Sequence, residues 1–166
     1  PMIYWGLAHA LGPNPNSRYI GMPDDPKSEG LKAITKALKL IDNATPKERD
    51  MINAMYVLYD KDSVSDNKER DLAYLDAAGE LHRKYPTDPD ITALYAASYM
   101  NISRWNYWKK DGSPVGATGD IAAVLEKSFK NYPDHPGTNH LYIHLMEASR
   151  SPEKAVSYTH LRAHET

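Results

Sequence analysis

The chain contains no cysteine, which excludes disulfides, thiolate nucleophiles and every cysteine-based metal motif within it. It has no apolar run approaching the roughly 20 residues that cross a bilayer, so no membrane span is expected. Neither sign of charge prevails: 20 Lys and Arg stand against 22 Asp and Glu, a net charge of −2. A chain without a basic stripe has nothing with which to track a phosphate backbone, and nucleic acid is not an expected partner. No segment alternates apolar and polar residues as a half-buried strand does. A phosphate-cradling glycine loop and a nucleophile elbow are also missing.

What is present is repetition. Tyr85-Pro86-Thr87-Asp88-Pro89-Asp90, followed by Leu94-Tyr95, returns as Tyr132-Pro133-Asp134-His135-Pro136-Gly137, followed by Leu141-Tyr142, at a constant offset of 47 residues. A helix-stopping Tyr-Pro, an Asp/Pro turn and a new apolar run are what stacked helical hairpins leave in a sequence. The pattern predicts helices over 2–11, 27–42, 46–59, 68–85, 89–102, 119–132 and 137–149, with an eighth opening at Ser151-Pro152-Glu153. Thr45-Pro46-Lys47-Glu48 supplies a cap, a first-turn proline and a glutamate three residues after the cap, a strong start for the third helix. Leu72, Leu75, Ala78, Leu81 and Tyr85 mark the expected apolar face of the fourth.

Aligning the hairpins places Tyr56, Tyr95 and Tyr142 in register, at spacings of 39 and 47 residues. Removing an insertion of about 13 residues between Ser103 and Thr118 brings the longer unit to the tetratricopeptide period of about 34. The chain thus reads as all-α, a right-handed solenoid of antiparallel helical hairpins occupying residues 1–155 as one domain.

A family resemblance rests on Tyr4-Trp5-Gly6-Leu7-Ala8 with Gly12-Pro13-Asn14-Pro15-Asn16, then Ala93-Leu94-Tyr95-Ala96, Arg104-Trp105-Asn106-Tyr107-Trp108, and His135-Pro136-Gly137-Thr138-Asn139-His140-Leu141-Tyr142-Ile143-His144. With these segments the chain resembles a family of bacterial tetratricopeptide-repeat proteins of undefined activity, whose members are longer. The resemblance implies a helical repeat protein of bacterial type; the compartment, cytoplasmic or exported, is left open. It supplies no mechanism.

The ends are expected to be cut. Residues 156–166 read as one frame of a transposase sequencing adapter, as in a metagenomic fragment, and Pro1 stands where an initiator Met would. On that reading His160 and His164 are not a native pair. Leu141 and Leu145 are expected to be left exposed, because the eighth helix and further repeats of the parent chain would have covered them.

Two groups of residues carry candidate chemistry. Trp105, Tyr107 and Trp108 lie in the insertion beside Lys109 and Lys110, and with Tyr95, Tyr142, Trp5 and Asn14 they form the expected contact set for a protein or peptide partner. The competing reading is that the insertion folds back and packs as a small core of its own. His140 and His144 stand one helical turn apart, a spacing that lets two imidazoles reach one divalent transition ion, with His135 and Glu147 as further ligands. The repeat places Ala93 and Ala97, then Ala54 and Leu58, at the positions of that histidine pair. The competing reading makes both histidines packing residues. A zincin is excluded because Leu141 stands where the general base would follow the first histidine. His9, beside Trp5, and His82, at the position of Phe129, read as packing residues. No nucleophile with its base and no paired carboxylates are in view, so no catalytic residue is nominated. The leading expectation is a non-enzymatic interaction scaffold, and the alternative is a metal-binding or metal-dependent protein.

Overall fold

The computed structural model describes residues 1–13, 26–60 and 62–156. Within them the chain is all-helical, with no strand; the one extended pairing is an isolated bridge between Trp108 and Pro114. The helices are α1 (Met2–Leu11), α2 (Pro26–Lys39), α3 (Pro46–Tyr59), α4 (Asn67–Lys84), α5 (Pro89–Ile102), α6 (Thr118–Phe129) and α7 (Pro136–Met146), with short 3-10 turns at Ile41–Asn43 and Pro152–Ala155. No helix among the described residues is long and apolar enough to cross a membrane.

Helix starts follow the caps that the sequence offers. Thr45 and Glu48 exchange hydrogen bonds in a complete capping box with Pro46 in the first turn of α3. α2 ends three residues short of the expected 42, because the chain must become extended to present Thr45 as that cap. The carbonyls freed there are taken up by Arg49, whose guanidinium donates to Ala44 and Asp42, each at 2.9 Å.

The chain divides into two compact units, residues 1–81 and 82–166. In the first, α1, α2 and α3 touch one another, enclosing Ala8, Ile34, Ala37, Ile52, Met55, Leu58 and Tyr59. The Tyr59 hydroxyl donates to the Ala8 carbonyl, and the Trp5 indole donates to the Met51 carbonyl at 3.1 Å. Tyr74 of α4 joins this core, and its buried hydroxyl is pushed well above the ordinary tyrosine range by desolvation. The buried face of α4 is Arg70, Tyr74, Ala78 and Leu81. Leu72, expected on that face, is 43% exposed. Arg70 takes the inward place because its guanidinium turns back to the carbonyls of Val64 and Ser65 and the Asn67 side chain, tying down the link before α4.

In the second unit α5, α6 and α7 touch one another around Ile91, Leu94, Met100, Ile121, Leu125, Tyr142 and Leu145. The repetition seen in sequence holds here bond for bond. Asp88 N–H donates to Tyr85 O at 3.1 Å and His135 N–H to Tyr132 O at 3.3 Å. The Asp88 side chain accepts from Ile91 N–H at 3.1 Å, and His135 Nδ1 accepts from Thr138 N–H at 3.2 Å. Each member of one set lies 47 residues from its counterpart. The aromatic contacts repeat as well: His82 stacks on Tyr95 at 5.5 Å and Phe129 meets Tyr142 edge-on at 5.2 Å.

Two expectations at the end of α7 are corrected. Leu141 is 9% exposed and Leu145 is fully buried, and the 3-10 turn at Pro152–Ala155 packs on α7 with Ala155 buried. α7 also stops at Met146 rather than 149. The Trp108 indole donates to the Leu145 carbonyl at 2.7 Å, which satisfies an acceptor that a longer helix would have used internally.

Candidate functional site

The insertion between α5 and α6 is built from the inside out. Tyr107 is buried, and its hydroxyl donates to the Met100 carbonyl at 3.2 Å. Backbone bonds from Val115 N–H to Tyr107 O at 2.8 Å and from Lys109 N–H to Ser113 O at 2.9 Å close the loop on itself. Tyr99 clamps its far end, donating to the Val115 carbonyl at 2.8 Å. Gly112, with φ of +83°, supplies the tight turn. The insertion is a small packed body, so the competing reading holds for Tyr107 and Trp108: both aromatics face inward.

Trp105 does not follow them. It is 47% exposed and has φ of +57°, the one positive φ outside glycine among the described residues. The left-handed region costs a residue with a Cβ about 1–2 kcal/mol, and such strain persists only where the surroundings enforce it. Asn106 N–H donates to the Ser103 carbonyl at 2.8 Å across this bend, and the Trp105 ring is held at 6.3 Å from that of Tyr107. Its other neighbour is His144 of α7, met edge-on at 5.5 Å.

His144 is the centre of a chain of contacts. His140, one turn earlier, lies at right angles with ring centroids 4.5 Å apart, and the Glu147 carboxylate lies 3.3 Å from His144 Nδ1. A carboxylate accepts, so a hydrogen bond between them uses Nδ1–H of His144, and in the neutral imidazole that leaves the lone pair on Nε2. The Glu147 carboxylate is thus placed to orient the His144 ring. His135 has other duties: Nδ1 caps α7, and Nε2 lies 3.1 Å from Asp90 in the first turn of α5. With both ring nitrogens engaged, it belongs to the cap. Among the described residues no three His, Asp or Glu side chains come together as a ready ligand set.

The remaining predicted contact residues disperse. Tyr95 and Tyr142 are half-buried and buried in their aromatic pairs, and the Tyr142 hydroxyl donates to Glu126 at 2.6 Å. Trp5 belongs to the first unit, stacked on His9 at 5.3 Å. Asn14 lies outside the described residues. Of the contact set, the structure thus brings Trp105 to His144, with Tyr107 buried beside Trp105. Around them the insertion carries exposed Arg104, Lys109 and Lys110, and Arg150 lies against Gly112 with its guanidinium 3.4 Å from the Lys110 carbonyl. Sequence reasoning missed Arg150, which no motif marks. It joins the insertion only through tertiary packing.

Compared with protein-family models, curated proteins and solved structures, the chain matches none.

Proposed function

We propose that the chain is a helical-repeat scaffold, a tetratricopeptide-like solenoid of hairpins, that binds a protein or peptide partner and performs no chemistry of its own. The observation that carries this reading is Trp105, an exposed indole held in a left-handed backbone conformation on a rigid, internally bonded insertion. Exposed aromatics anchored on a fixed support lose little entropy on binding and dominate contact energetics. The cations of Arg104, Lys109 and Lys110 beside it would steer a partner and set its orientation. The repeated turn and the repeated aromatic pair support the solenoid, since each hairpin would offer its neighbour the same face.

The test is selection of a displayed random-peptide library on the full chain, followed by affinity measurement on the peptides recovered. Trp105→Ala is expected to weaken them by at least tenfold, about 1.4 kcal/mol, with an unchanged circular dichroism spectrum. Recovered peptides that bind Trp105→Ala as well as the parent chain would reject this surface as the docking site.

A further inference from the structure

We infer that His140 and His144 form a two-imidazole site for one divalent transition ion of the Cu²⁺, Ni²⁺ or Zn²⁺ type. The two rings lie on successive turns of α7, half-buried, with centroids 4.5 Å apart. Rings this close on successive turns of one helix can each turn a nitrogen toward one ion at nitrogen–metal lengths of about 2.0–2.1 Å. Imidazole nitrogen selects this class of ion over Mg²⁺ or Ca²⁺, and Cu²⁺ should bind most tightly.

Two independent observations point the same way. Glu147 Oε1 lies 3.3 Å from His144 Nδ1, the carboxylate–histidine arrangement that fixes a ligand ring and raises its basicity. With Nδ1–H on the carboxylate, the neutral ring offers Nε2 to an ion. The packing of the repeat, moreover, does not demand these rings. The positions 47 residues earlier, in α5, are Ala93 and Ala97 and are half-buried too, so a methyl group suffices where the imidazoles stand. The indole edge of Trp105, 5.5 Å from His144, supplies one apolar wall. With two protein ligands, the remaining coordination positions go to water or to an incoming group.

Titration of the full chain with Cu²⁺ or Ni²⁺ chloride tests this, in a His160→Ala/His164→Ala background that removes the other i,i+4 imidazole pair. One ion per chain is expected by calorimetry, with quenching of tryptophan emission that Trp105→Phe largely abolishes. His140→Ala and His144→Phe should each weaken binding at least tenfold; the phenylalanine keeps a ring beside Trp105 and removes both nitrogens. Glu147→Gln should weaken it by a smaller factor, because the amide still fills the place but accepts less strongly. The inference is overturned if neither histidine substitution changes the affinity, if no ion binds, or if the ion binds without touching the emission that Trp105 contributes. Paramagnetic broadening of the His140 and His144 ring signals by Ni²⁺, and no broadening of His82 or His135, would confirm the position even where a variant folds poorly.

Discussion

His82 and Phe129 occupy the same place in two copies of one hairpin turn, each against the tyrosine of the following helix, yet only His82 can take a proton. Burial, with the positive charge of Lys127 adding to it, holds the His82 imidazole below its ordinary value. The folded chain therefore resists a proton that the unfolded chain accepts near pH 6.5. The unfolded state binds more protons in that window, so this contribution to stability is complete above about pH 6.5 and is lost as pH falls toward the lowered folded value. His82→Phe, which copies the counterpart residue, should remove it. The expected result is a melting temperature that drops less between about pH 7 and about pH 5 in the variant than in the parent. Parallel pH profiles would show that His82 is not the group responsible. At this scale the sequence was partly readable. Its offset paired His82 with Phe129 and marked His140 and His144, because repetition aligns positions. It could not reveal that His135 is a cap or that Glu147 faces His144, since those roles depend on which way each side chain turns.

Between helices of the first unit, one close approach is made by a residue with no side chain. A Cβ on Gly30 of α2 would lie 2.3 Å from the ring of Tyr59 in α3, a ring that is buried and whose hydroxyl holds the Ala8 carbonyl of α1. One glycine thus permits α2 to reach a tyrosine that ties α3 to α1. Gly30→Ala should destabilise the chain by about 1–3 kcal/mol through overpacking. Gly6 of α1 is the control, with nothing within 4 Å of its Cβ position. Gly6→Ala should stabilise by about 0.5–1 kcal/mol, because alanine orders more readily in a helix. Denaturant midpoints of opposite sign for the two variants are the expected outcome, and two losses of equal size would contradict the close approach. Helix starts were legible from Thr45, Asp88 and Pro136 because caps are local. The buried face of α4 was not. The leucine spacing favoured Leu72, while the structure turns Arg70 and Tyr74 inward to meet partners distant in sequence or in the preceding link.

Over the whole molecule, the division at residues 81 and 82 separates two sets of three mutually packed helices. Each has its own fully buried centre, Ile52 in the first and Leu125 in the second. Ile52→Ala and Leu125→Ala should each cost about 2–5 kcal/mol. Hydrogen exchange should show protection falling mainly in the unit that carries the substitution. Equal loss across both units would mean that they open together. The helical class was readable from spacing alone; the fate of the insertion was not, because nothing in the run from Arg104 to Trp108 says which aromatic stays outside.

The turns at residues 85 and 132 also bear on heredity. An exchange between the two Tyr-Pro codon pairs, were it to occur, would add or delete 47 codons in frame. Both products would be expected to keep a helix cap at the junction, because the bonds that make it in this chain are local. The surface features do not travel equally. Trp105 lies inside the exchanged segment and His144 outside it, so duplication would multiply the indole, and deletion would leave the imidazole pair without it.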